Sequence, residues 1–163
     1  TWCNMLERCY SEKYHKRYST YIDCTVCEEW LNFQNFAKWF ENNYVEEYEL
    51  DKDLLIKGNK IYSPISCVFI PFEINNILKT YSNYIYNLPI GVTFNKKLKK
   101  YQASLYSNGK SIHLGYFNTC EEAFEKYKIA KENYIKELAD KWKNNITKST
   151  YNALYNYTVD MNN

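Results

Sequence analysis

The sequence predicts an α+β fold in two small units. The first is a strand–turn–strand–helix unit with flanking helices; the second is a three-stranded antiparallel sheet packed on one helix, with a short C-terminal helix. Three observations carry this. Three β-type runs, Gly91-Val92-Thr93-Phe94, Lys100 to Tyr106 and Ile112 to Phe117, are separated by turn residues. Asn108-Gly109 stands between the second and third runs, and a type I′ hairpin turn needs positive φ at both central residues. Thr119, with Glu122 three residues on, forms a capping box. It opens a helix along which Ala123, Tyr127, Ala130 and Tyr134 recur as an apolar stripe.

Taken in order, residues 1–10 form a short amphipathic helix with Trp2, Met5, Leu6 and Cys9 on one side. Residues 11–23 mix Lys, Arg, His and Tyr without a period and read as loop. Cys27-Glu28-Glu29-Trp30 leads into a helix carrying Phe33, Phe36, Ala37, Phe40 and Tyr44, aromatics at core spacing. A strand follows over residues 49–55, then a Lys57-Gly58-Asn59-Lys60 turn and a second strand over 66–70. Pro71 suits the first position of a helix over Phe72 to Leu78. Beyond the long helix, Trp142, Ile146, Tyr151, Leu154 and Tyr155 mark a short helix that folds back. The units divide as 1–80 and 86–163.

The chain has 163 residues, 45% hydrophobic and 18% aromatic, a composition that favours a folded core over disorder. No apolar run reaches the length of a membrane span and no signal-peptide pattern occurs, so no membrane partner is expected. The net charge of +2 hides an asymmetry. Residues 1–85 carry 9 basic against 12 acidic side chains, a balance of −3, whereas residues 86–163 carry 12 lysines against 7 acids, a balance of +5. Between Glu73 and Glu121 there is no carboxylate side chain, while Lys79, Lys96, Lys97, Lys99, Lys100 and Lys110 fall there. An acid-free basic window on a sheet is the footprint of a polyanion partner.

Several positions carry a resemblance: Gly91-Val92, Lys100-Tyr101-Gln102-Ala103, Asn108-Gly109-Lys110, His113-Leu114-Gly115-Tyr116-Phe117, Thr119, Glu121-Glu122-Ala123 and Ala130. Over about forty residues this stretch resembles the APETALA-type (ethylene-response-factor-like) DNA-binding domain, in the short form of phage and mobile-element proteins. The resemblance implies a three-stranded sheet backed by one helix, its open face entering the major groove of double-stranded DNA. Strand alternation turns Tyr101, Ala103, Leu105, Ile112, Leu114 and Phe117 toward the helix. It turns Thr93, Asn95, Gln102, Ser104, Tyr106, Ser111 and His113 outward. Gln and Asn pair bidentately with adenine, and hydroxyls accept several base edges. Lys97, Lys99, Lys100 and Lys110 are the phosphate-holding set, which makes binding steeply salt-dependent. Related domains carry arginines or a tryptophan at several of these places and this chain has none, so the expected preference leans to A·T.

Residues 1–79 carry a second pattern: Val26-Cys27-Glu28-Glu29-Trp30, Leu50-Asp51-Lys52, Gly58-Asn59, Tyr62-Ser63-Pro64, Cys67, Pro71 and Asn75-Asn76. It is similar to phage His-Asn-His endonucleases, a ββα-metal fold that often precedes an APETALA-type domain. The resemblance implies a magnesium or manganese ion held by Asp51 with Asn75 or Asn76, and a histidine base beside the aspartate. Lys52 stands in the place of that base. A lysine of ordinary pKa is protonated at pH 7 and takes no proton, and the flanking Asp51 and Asp53 favour its charged form. His15 is the other candidate base, in an unmatched stretch. Cleavage is therefore expected to be weakened or lost, and the expectation leans away from an enzyme.

Six cysteines occur, at 3, 9, 24, 27, 67 and 120. Cys24-Thr25-Val26-Cys27 has knuckle spacing, and Cys9 and Cys67 would complete a thiolate zinc site; core packing is the alternative. Cys120 opens a helix, a place where thiol pKa values can fall, but no neighbouring base makes it a nucleophile and it reads as structural.

The reading that joins these is a phage or prophage protein, acting in the cytoplasm of a bacterial host, that binds double-stranded DNA through a basic sheet and carries a degenerate nuclease unit. The alternatives are an active metal-dependent homing-type endonuclease, or a protein-binding inhibitor of a host defence complex. The acidic, aromatic N-terminal half supports the last.

Overall fold

In the computed structural model, which describes residues 1–79, 88–107 and 109–161, the chain divides into Thr1–Phe72 and Glu73–Asn163. The interval 81–85 that the sequence leaves between the two units lies outside the described residues.

In the first unit, α1 (Trp2–Tyr10) buries Met5 and Cys9, and the Trp2 indole donates to the Trp30 carbonyl at 2.8 Å. The expected loop over 11–23 is instead a helix, α2 (Glu12–Arg17), followed by a 3₁₀ turn over Ser19–Tyr21. The Ser11 side chain caps α2 by accepting from the Tyr14 amide. Glu12 in the first turn and Lys16 and Arg17 in the last suit the helix dipole. The Tyr14 ring meets Tyr18 and Tyr21.

The aromatic helix expected from residue 28 onward is broken in two, α3 (Glu28–Leu31) and α4 (Phe33–Asn43). Asn32 takes an extended conformation between them and caps α4, accepting from the Gln34 amide at 2.9 Å. That break turns Phe33 half outward, against Trp2, and leaves Phe36 as the buried residue of α4. Trp30, Phe36 and Trp39 pack ring to ring, and Phe69 stacks on Trp39.

Two short ladders complete the unit. β1 (Thr25–Val26) runs parallel to β3 (Ile61–Tyr62), and β2 (Tyr48–Asp51) runs antiparallel to β4 (Val68–Pro71), with Asp51 opposite Val68. β2 is shorter than expected because the Asp51 side chain accepts from the amides of Asp53 and Leu54, a turn that ends the strand. Pro71 closes the β4 ladder opposite Tyr48 rather than opening the helix. Lacking an N–H, it is tolerated at a ladder's end.

The second unit begins within α5 (Phe72–Leu78), whose Ile74 and Ile77 are buried. Glu73 accepts from Lys141 Nζ at 2.6 Å and from the Trp142 indole at 3.0 Å. Burial works against its ionisation, but those hydrogen bonds outweigh it and hold the carboxyl below its ordinary value.

β5 (Val92–Asn95), β6 (Lys100–Ser107) and β7 (Lys110–Phe117) form the antiparallel sheet in sequence order. Gly109 has φ +74°, as the hairpin turn requires, and Asn108 lies outside the described residues. α6 (Cys120–Trp142) packs on all three strands. Its capping box is present: the Glu122 amide donates to Thr119 Oγ1 at 3.2 Å, and the Thr119 amide donates to the Glu122 carboxylate.

The buried stripe of α6 is Ala123, Phe124, Tyr127, Lys131, Ile135, Leu138 and Ala139. Lys131 occupies the inward position one turn beyond Tyr127, and Ala130 and Tyr134 are only half-buried, off the stripe's centre. The expected final helix is α7 (Lys148–Tyr155), capped by Thr147 and buried through Thr150 and Leu154. The Tyr151 hydroxyl donates to Asp140 at 2.9 Å, tying α7 to α6. No helix among the described residues is long and apolar enough to cross a membrane.

Candidate nucleic-acid interface

Cross-strand partners share a sheet face, so the register assigns every side chain. Val92, Ala103 and Gly115 form one row toward α6, with Phe94, Tyr101 and Phe117 as the next. The opposite face holds Thr93, Gln102 and Tyr116 in one row, then Ser104 with His113, then Tyr106 with Ser111. Tyr106 is 67% exposed, and Thr93, Ser111 and His113 are exposed as well. The face is hydroxyl, amide, imidazole and phenol, without a carboxylate.

Tyr116 belongs to this surface and alternation alone does not find it. Ala103 pairs with Gly115 while Ser104 pairs with His113, so Leu114 is an extra residue in β7. A bulge of this kind resets the alternation. His113 and Tyr116 thereby fall on the same face, with ring centroids 4.6 Å apart.

The lysines distribute unevenly. Lys100 opens β6 opposite Asn95, on the outward face, while Lys97 and Lys99 lie in the β5–β6 turn, all exposed. Lys99 has φ +52°, the left-handed region that lets the turn close in so few residues. Lys110 opens β7 opposite Ser107, in a row of helix-side parity at the hairpin end. Positive charge therefore sits at both ends of the long strands, about 25 Å apart for an eight-residue strand. Asn95, named for base reading, is also engaged in the turn. Its side-chain oxygen accepts from the amides of Lys97 and Leu98, both at 3.1 Å, so it shapes the turn that carries the lysines.

Lys52 is buried; its ammonium donates to the Asp53 carboxylate and, at 3.1 Å, to the Asn59 carbonyl, and it lies over the Tyr62 ring. Asn59 returns a hydrogen bond to the Lys52 carbonyl. The ion pair with Asp53 and the hydrogen bond to the Asn59 carbonyl give this side chain a structural role. Asp51 is held above its ordinary carboxylate range, chiefly by burial, with the amide hydrogen bonds of Leu54 and Asp53 working against the shift. Asn75 and Asn76 lie on α5, and Asn76 accepts from Lys79 at 3.4 Å. His15 sits on α2, where its Nε2 meets the Arg8 carbonyl at 2.8 Å. A carbonyl only accepts, so Nε2 carries the proton.

The proposed thiolate set does not form a metal site. Among the described residues no group of three or more His, Cys, Asp or Glu side chains is arranged to hold a metal ion. Cys9, Cys24 and Cys67 pack instead in the core with Met5, Trp30 and Phe36, and Cys27 lies at its edge. Burial pushes the Cys9 thiol up to about 11 and that of Cys67 up to about 12. Burial, with the Glu121 charge beside it, raises the Cys120 thiol despite the helix N-terminus. Comparison of the chain with protein-family models, with curated proteins and with solved structures finds no match to any of them.

Proposed function

We propose that this chain binds double-stranded DNA through the outward face of the β5–β6–β7 sheet, laid along the major groove. The observation that carries the reading is that face: Thr93, Gln102, Ser104, Tyr106, Ser111 and His113 form a carboxylate-free polar surface with lysines at its two ends. The B-form major groove admits a β-ribbon. Lys97, Lys99 and Lys100 at one end and Lys110 at the other take phosphates, while Gln102 and the hydroxyls meet base edges. The likeness of this stretch to APETALA-type domains supports the same docking. With no arginine on the face, guanine readout is weak and the preference leans to A·T.

Strand cleavage is not part of the reading, because the residue in the base position is the hydrogen-bonded Lys52 ammonium. The test is binding of the full chain to a labelled duplex across a salt series. Affinity should fall steeply as salt rises, with a log–log slope of about −3 to −4 for the four lysines. Failure to bind duplex in dilute buffer would overturn the reading.

A further inference from the structure

Beside the open edge of the sheet lies a cavity of about 340 Å³, within the size range of small-molecule sites. β5 begins only at Val92, opposite Ala103, so β6 runs on past it from Ser104 to Ser107. The cavity occupies that end, walled by Ile77 of α5, by Ile90, and by Leu105 and Tyr127. Asn76, Thr93 and Ser104 add polar groups.

Lys131 also lines it, although the residue is 1% exposed. Its ammonium has the face of the Tyr127 ring at 5.8 Å, and among the described residues no carboxylate pairs with it. Desolvation alone pushes its pKa down to about 8. A buried amine without a counter-charge is costly, and here it borders a space large enough for one.

We propose that this cavity is a binding site for a small organic carboxylate with an apolar body, the carboxylate pairing with Lys131 and the body resting on Ile77, Ile90 and Leu105. One cation in an apolar wall matches one negative charge. A phosphate dianion would call for further donors of positive charge, and Lys131 is too deeply placed for the backbone of a duplex to reach. Thr93 and Ser104 also belong to the face proposed for DNA, but benzoate and duplex binding are read separately, so either reading can fail without the other.

The experiment titrates benzoate into the full chain, followed by calorimetry and by the thermal unfolding midpoint, with benzyl alcohol and inorganic phosphate as companions. Benzoate should bind and raise the midpoint, and benzyl alcohol, which keeps the ring but lacks the charge, should bind at least tenfold more weakly. Lys131→Met should lose at least tenfold in benzoate affinity. Because the three probes are compared on the unaltered chain, the outcome does not hinge on how the variant folds. No benzoate binding, equal binding of the alcohol, or tighter binding of phosphate than of benzoate would each overturn the assignment.

Discussion

Gly91 lies directly against the ring of Tyr127, so close that a Cβ at position 91 would overlap the ring carbons. The same residue has φ +77° and its carbonyl accepts from the Ser104 amide at 2.9 Å, which starts the sheet. Helix, strand entry and ladder therefore meet at one atom-sized gap. Gly91→Ala should destabilise the chain by about 2–4 kcal/mol, from left-handed strain added to overpacking. Urea unfolding followed by tyrosine and tryptophan fluorescence measures it, and a loss below about 0.5 kcal/mol, the size of a neutral surface change, would show that the ring simply moves aside.

The interface reading separates phosphate contacts from base contacts. Lys99→Gln with Lys100→Gln should weaken duplex binding uniformly across sequences and reduce the salt slope by about 2. Gln102→Ala should leave that slope alone and cost about 1–3 kcal/mol on the preferred site, flattening the difference between A·T and G·C sites. Lys99 and Lys100 are exposed and Gln102 is half-buried, so circular dichroism should show an unchanged fold. Equal effects of both changes on the salt slope would mean that Gln102 meets phosphate and not a base.

Local chemistry was legible in the sequence and tertiary context was not. The α6 start is readable because Thr119 and Glu122 cap each other within four residues. The helix α2 is not, since no apolar period marks it and its support is a serine cap and tyrosine rings in contact. Alternation places Asn95 outward but says nothing of its partner, and that partner is the turn beneath it. Tyr116 is hidden because the extra residue Leu114 shifts the phase halfway along β7. Lys131 is hidden for a different reason: pattern reading sends a lysine to solvent, and here the helix geometry sends it inward.

The pair of Lys52 and Asp53 tests whether the nuclease-like position is structural. Lys52 is 8% exposed at its side chain and Asp53 is 54% exposed, so solvent already screens one partner. Asp53→Ala should cost about 1 kcal/mol, short of what a fully buried pair would lose. Lys52→Met keeps the aliphatic path over Tyr62 but leaves the Asn59 carbonyl without its donor, and it should lower the unfolding midpoint. Neither change should alter plasmid nicking in magnesium or manganese. Nicking by the parent chain that Lys52→Met abolishes would restore this residue to catalysis.

The pH dependence of stability isolates Lys131. An unfolded lysine keeps its proton up to about 10.5, whereas the buried one releases it near 8. Between those values the unfolded chain binds more protons, so stability rises with pH across the window, and below it the folded state bears the full cost of a buried charge. The buried thiols of Cys9 and Cys67 act oppositely: raised from 9.0 to about 11 and about 12, they lower stability as pH climbs past 9.0. Comparing the parent with Lys131→Met cancels the thiols, which both chains share. The variant should be more stable by about 3 kcal/mol at pH 7, and the two curves should converge as pH approaches 10.5. Urea midpoints at half-unit steps from pH 6.5 to 10 read the difference. Parallel curves would mean that the ammonium reaches water or a partner and is not desolvated at all.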